Sequence, residues 1–195
     1  LRARTTNETY SWDEIERPYD AGPDAGSDAG DDPDAGDLDG GASDAAAPRT
    51  VIFQPGLHLA NLVLESYGSQ AILTIDALDR TGSRAPSDLA GKPLDDVELG
   101  ARYDRITDYA LDQMRDTKLT ALLVASAVDV PLGDDPARHA AFATFLARAA
   151  AHAHAVRPGV AVGFTVTADG LSALDEHRDD VAAHVVVALG VLGVL

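Results

Sequence analysis

The sequence predicts an α/β domain on a parallel sheet over residues 50–195, preceded by a disordered acidic segment over 1–49. Three observations predict it. Apolar runs of strand length recur in the second part, amphipathic helical stretches separate them, and the first part is poor in the large apolar residues a core needs. The formal net charge of −17 is uneven: residues 1–49 hold thirteen acids and four bases, and residues 50–195 hold nineteen and eleven.

Residues 18–48 repeat Asp-Ala-Gly four times, starting at Asp20, Asp24, Asp28 and Asp34. Such a stretch cannot bury enough surface to offset chain entropy, and its charges repel, so it reads as an extended spacer. A calcium loop is the sharper alternative. Asp37-Leu38-Asp39-Gly40 fits part of that template, but its first and twelfth positions fall on Ala35 and Ala46. Tyr10, Trp12 and Ile15, in residues 1–17, read as disordered or as a short docking motif.

From Thr50 the pattern changes. Val51–Phe53 is a short β-prone run, and Leu57, Ala60 and Leu64 predict a helix over 57–67 stopped by Gly68. Residues 71–76 (AILTID) predict a strand and 77–94 a long loop. Asp95 caps a second helix, with Glu98 as its capping-box partner and Leu99, Tyr103, Ile106, Ala110 and Met114 on its apolar face. Residues 119–125 (LTALLVA) predict the next strand. Asp135-Pro136 opens a helix to about Val156, ended by Arg157-Pro158-Gly159. A strand over 160–167, a short helix over 171–178 and a strand over 184–189 complete the chain.

These strands are apolar throughout rather than alternating, as strands covered on both faces are. An open doubly wound sheet and a (β/α)₈ barrel both qualify, and in either the site lies at the C-terminal ends of the strands. Those ends offer Asp76, Asp79 and Arg80, then Ser126, Ala127 and Asp129, then Thr167 and Asp169. Asp169, beside Gly170, reads better as a turn or helix cap.

Several classes of function are disfavoured. No basic cluster exists to meet nucleic acid or an anionic membrane surface, and no apolar run reaches the roughly 18 residues of a membrane span. The absence of cysteine removes disulfides, thiol catalysis and Cys-type zinc sites. His152 and His154 are two apart on a helix and cannot share a metal; His139 reads as solvated and His184 lies away from the site. Neither nucleotide-binding glycine fingerprint is present, nor a G-x-S-x-G elbow, so no cofactor is expected.

Three passages carry a resemblance: ILTIDALDRTGSRAPSDLAGKPLDD at 72–96, the stretch 119–159, and VAVGFTVTADGL at 160–171. From about Val51 to Leu189 the chain resembles bacterial (β/α)₈-barrel glycoside hydrolases of the clan that ends strand four with Asn-Glu. The resemblance implies a partial TIM-barrel-like sheet with covering helices. The Asn-Glu positions fall on Ser126 and Ala127, and alanine cannot exchange a proton, so catalysis of the family type is lost there. The strand that carries the family's nucleophile lies past the likeness. The Asp-Ala-Gly-rich leader is similar to spacers behind lipid anchors, which implies a secreted or surface-anchored protein. The chain starts at Leu1, without Met or a visible signal peptide, as expected where one has been removed or where the sequence does not include it.

The expected function is thus a glycosidase-like domain without hydrolytic activity. Asp76, Asp79, Arg80, Asp129 and Thr167 would hydrogen-bond a carbohydrate ligand. The rivals are an active glycosidase using Asp76 and Asp129, and a structural or interaction module. At most five strands are foreseen over 50–195, where a full barrel takes about 250 residues. The open sheet edges would invite self-association.

Overall fold

A computed structural model describes residues 4–18 and 50–171. Four parallel strands form the body of the sheet: β1 (Thr5–Ser11), β4 (Gln70–Asp79), β6 (Lys118–Ala125) and β7 (Ala161–Gly163), neighbours in that order. The expected loop after residue 76 is instead more strand. β4 runs on to Asp79 and turns through Arg80 and Thr81 into β5 (Gly82–Ser83), antiparallel to it. A 3₁₀ turn over Ser87–Leu89 follows.

Three helices link the strands in turn: α2 (Pro55–Ser66), α3 (Val97–Gln113) and, after the single turn α4 (Asp129–Leu132), α5 (Pro136–Val156). α2 starts at Pro55, two residues before the sequence suggested, because proline suits the first helical position, and Gly68 takes φ +60° just past its end. Asp96 rather than Asp95 caps α3, accepting from the backbone N–H of Glu98 and Leu99; the Glu98 side chain reaches Lys92 instead of closing a capping box. Asp135 caps α5 as expected.

The largest departure lies at the front of the chain. Residues 5–18, expected to be disordered, belong to the fold. β1 pairs with β4 from Thr5↔Gln70 to Ser11↔Asp76. The short helix α1 (Trp12–Ile15) then buries Trp12 and Ile15 completely. β2 (Glu16–Pro18) pairs antiparallel with β3 (Thr50–Ile52), Pro18 facing Thr50. Residues 19–49 therefore join two paired strands instead of leading up to a domain, and the domain does not begin at residue 50. The spacer and calcium readings of 19–49 fall outside the described residues, as does the strand expected over 184–189; of the helix expected over 171–178, a helical turn at 168–171 is described.

Among the described residues, helices cover one face of the sheet. Ala71, Leu73, Ile75 and Ala77 of β4 are fully buried, and the Tyr103 hydroxyl of α3 donates to the Ile75 carbonyl at 2.7 Å. α3 touches α2 on one side and α5 on the other, so the three helices stand in a row, as right-handed crossovers between sequential strands require. Trp12, Tyr103 and Phe145 stack edge to face through this layer, with centroids 5.2 and 4.8 Å apart. The alternate residues turn away from the helices. Thr74 Oγ1 donates to Asn7 Oδ1 there, and Thr5, Asn7 and Thr9 are exposed. β1, which was not among the strands expected from the sequence, alternates instead, its exposed Thr5, Asn7 and Thr9 lying on the side that no described helix covers.

A buried ionic knot ties the front of the chain to the helix layer. Glu16 accepts from Trp12 Nε1 (2.9 Å), Thr50 Oγ1 (2.7 Å) and Arg102 (2.7 and 3.1 Å). Arg102 also donates to Asp88. A charge hidden this deeply holds its place only when paired and hydrogen-bonded, and Glu16 is both.

Candidate functional site

The C-terminal ends of β1, β4, β6 and β7 lie along one rim, and polar side chains run across it. At its centre stands Asp76, 6% exposed. Between Thr74 and Leu78, four steps along β4 match two along β6, from Leu123 to Ala125, so Asp76 sits on a bulge. Bulges of this kind re-aim a side chain at a rim. Its Oδ1 accepts from Ser126 Oγ at 2.7 Å; its other oxygen has no hydrogen-bond partner among the described residues. Burial pushes the Asp76 carboxyl up to about 6, and the nearby charges of Asp79 and Glu14 add to this, against the Ser126 hydrogen bond and Arg84. The charge of Asp76, with full burial as the larger cause, in turn holds the Tyr103 hydroxyl well above its ordinary range.

On the β1 side, Arg84 organises the rim. It donates to Ser11 Oγ at 3.2 Å and pairs with Asp13 at 3.2 Å and Asp79 at 3.7 Å. Asp79 is already engaged in the hairpin turn, where its Oδ1 accepts from the Thr81 amide (2.7 Å) and hydroxyl (2.6 Å). Partial burial works against ionisation, but these bonds and Arg84 hold Asp79 below the usual carboxylate value. Arg80 stands at the tip of the hairpin, exposed and without an ion pair among the described residues. The arginine of the rim is Arg84, whereas the sequence pointed to its loop neighbour Arg80.

On the β7 side, Ala127 adopts φ +50°, a left-handed conformation costly to a residue with a Cβ. Its N–H donates to Thr165 Oγ1 at 3.0 Å. Asp129 accepts from the Thr167 amide at 2.8 Å and from the Thr167 hydroxyl. Thr167 Oγ1 also accepts from Gly170 N at 3.1 Å and so caps the turn at 168–171. Only glycine fits at 170, since a Cβ there would lie 2.5 Å from Asp129 Oδ2. Asp129 and Thr167 therefore clasp two loops together, and Asp169 lies in the capped turn.

Of the five expected site residues, Asp76 is presented at the rim with an oxygen to spare. Asp79 is shared between its turn and Arg84, Asp129 and Thr167 hold each other, and Arg80 stands apart. Ser126 and Ser11 join the rim through neighbours distant in sequence; the turn residues Asp79 and Gly82 were the signal that would have brought Arg84 back beside β4. A cleft of about 500 Å³ opens beside the rim between the β4–α3 and β6–α5 loops, with Leu78, Pro93, Leu94, Leu132, Lys92 and Arg138 among its walls.

Among the described residues no three His, Cys, Asp or Glu side chains come together as a metal site would require, and no helix is long and apolar enough to cross a membrane. His152 pairs with Asp108 of α3 at 2.7 Å, and His139 lies 2.8 Å from the Gly133 carbonyl. No family model, curated protein or solved structure matches the chain.

Proposed function

We propose that the parallel units form part of a (β/α)₈ barrel wall resembling that of the glycoside hydrolases, and that the rim binds a neutral or basic saccharide without cleaving it, in a secreted or surface-anchored protein. The observation that carries this reading is Asp76: a buried carboxyl at the end of a central strand, raised to about 6, with one oxygen held by Ser126 and the other unclaimed among the described residues. Such a group accepts from a sugar hydroxyl or pairs with an amine at neutral pH. Sequential strand order with the helices on one face supports the barrel reading over a doubly wound sheet, whose helices lie on both faces.

Hydrolysis needs an acid to protonate the leaving oxygen and a second carboxylate across from it. The resemblance gives the acid's position to Ala127. A glycosidase built on Asp76 and Asp129 would first have to pull Asp129 from Thr167.

The test is an amide-shift titration at pH 7 with glucosamine oligomers and with cello-oligosaccharides. Shifts are expected at Asp76, Ser126 and Arg84, with affinity for the amino sugar falling at least tenfold in Asp76→Asn and no reducing ends released. Released reducing ends would replace the reading with a glycosidase, and silence toward both sugars would end it.

A further inference from the structure

Residues 4–18 meet the rest of the domain the way a bound peptide meets its receptor. β1 adds a strand beside β4 through seven parallel pairs, and the Gln70 N–H extends the ladder to the Arg4 carbonyl at 2.9 Å. Strand addition of this kind draws affinity from main-chain bonds and specificity from pockets for particular side chains. Those pockets are present. Tyr10 abuts Gly56, where a Cβ would come within 3.1 Å of the Tyr10 hydroxyl. Trp12 and Ile15 are fully buried, Trp12 with its ring 5.2 Å from that of Tyr103. A buried indole whose N–H is satisfied is the kind of anchor that dominates binding energy.

Charge matches as well. Arg84 meets Asp13 at 3.2 Å and Arg102 meets Glu16 at 2.7 Å, so two acids of the segment face two arginines of the body. Without Glu16, buried Arg102 would keep only Asp88 as a partner among the described residues. Backbone bonds fasten both ends of α1: the Asp13 N–H donates to the Arg84 carbonyl at 3.0 Å, and the Phe53 N–H to the Ile15 carbonyl at 2.9 Å. The segment is also organised within itself. The Ser11 N–H donates to Glu14 at 3.0 Å, Trp12 Nε1 to Glu16 at 2.9 Å, and Arg17 Nε to the Glu14 carbonyl at 3.1 Å. A peptide that carries its own turn loses less freedom on docking.

Joined to the body, the segment docks intramolecularly, and a tethered ligand resists a free competitor through an effective concentration on the order of 1 mM. We infer that residues 4–18 are a peptide ligand built into the chain: a cut within 19–49 leaves them bound, and only then does the groove exchange them for a free peptide of the same sequence. None of this depends on a saccharide at the rim.

The test uses the full chain with a protease recognition sequence substituted within residues 19–49. After cleavage, at a concentration on the order of 10 µM, the two pieces should co-elute, with the emission of Trp12, the only tryptophan, unchanged. A fluorescently labelled peptide of residues 4–18 should enter the cut protein and gain anisotropy, while the uncut chain takes up at least a hundredfold less. Unlabelled peptides carrying Trp12→Ala or Glu16→Gln should compete at least tenfold more weakly than the parent peptide, and one carrying Thr9→Ala, on the exposed face, within twofold of it. Separation of the pieces on cutting, equal uptake by the uncut chain, or a Trp12→Ala peptide as good as the parent would each overturn the inference.

Discussion

In the second strand–helix unit, Gln70–Gln113, the strand itself does the holding: Ala71, Leu73, Ile75 and Ala77 are fully buried against the helices. In the first, Thr5–Ser66, none of the seven residues of β1 is fully buried, and the strand reads TTNETYS. That unit is held from its far end, where Trp12 and Ile15 enter the core and Glu16 joins Arg102. An edge strand with a polar outer face can thus be fixed by a plug that follows it. Apolar content along a strand measures how it is covered and not whether it is there.

The sharpest way to break this comparison is Trp12→Ala. Removing a fully buried indole next to Tyr103 leaves a cavity and strips Glu16 of a donor, an expected loss of about 3–5 kcal/mol by urea unfolding. Thr9→Ala, on the exposed face of β1, should change stability by less than about 0.5 kcal/mol. A Trp12 variant that unfolds at the parent midpoint would show the first unit to be an appendage.

The second prediction concerns the centre of the rim, in the unit held by its strand. The folded Asp76 carboxyl has its pKa raised to about 6 from 3.8, so the folded state binds the proton more tightly than the unfolded one. Stability from this group is present below pH 3.8 and is lost as pH rises through 6. Asp76→Asn cannot ionise, so it should be more stable than the parent above pH 6.5, by on the order of 2–3 kcal/mol, and match it near pH 3.5. Parallel stability–pH curves for the two proteins would mean that Asp76 is not desolvated. A carboxylate that lowers stability where it is ionised is in keeping with the binding role proposed for Asp76, because stability alone would favour the amide.

Legibility followed the same divide. LTALLVA, the Asp135-Pro136 start and the Arg157-Pro158-Gly159 stop could be read directly, since each signal lies within a few residues of what it specifies. β1 could not, because its partner β4 lies some sixty residues on, and the pairing that orders it is between backbones. Asp76 was legible as the carboxylate at a strand end. Its bulge, its bond to Ser126 and the clamp of Arg84 on Ser11 and Asp13 were not, for they depend on register across three strands. Asp129 and Thr167 were read as ligand groups because strand-end polarity looks the same whether it faces a ligand or another loop.

The smallest expected effect sharpens the comparison from within the first unit itself. Of the net −9 on residues 1–49, residues 1–18 hold −1 and 19–49 hold −8; residues 5–18 belong to the fold, and 19–49 connect Pro18 to Thr50, which already face each other across the β2–β3 pair. Replacing residues 19–49 with the two-residue turn Asn-Gly keeps that rung and removes nine aspartates and one arginine. The shortened protein should unfold at a midpoint no lower than the parent's, with the same near-ultraviolet signal from Trp12. Removing residues 1–18 instead should abolish cooperative unfolding. If the excision proved as damaging as the truncation, the Asp-Ala-Gly repeats would be carrying part of the fold, and the division of this acidic segment into an anchored plug and a connection would be wrong.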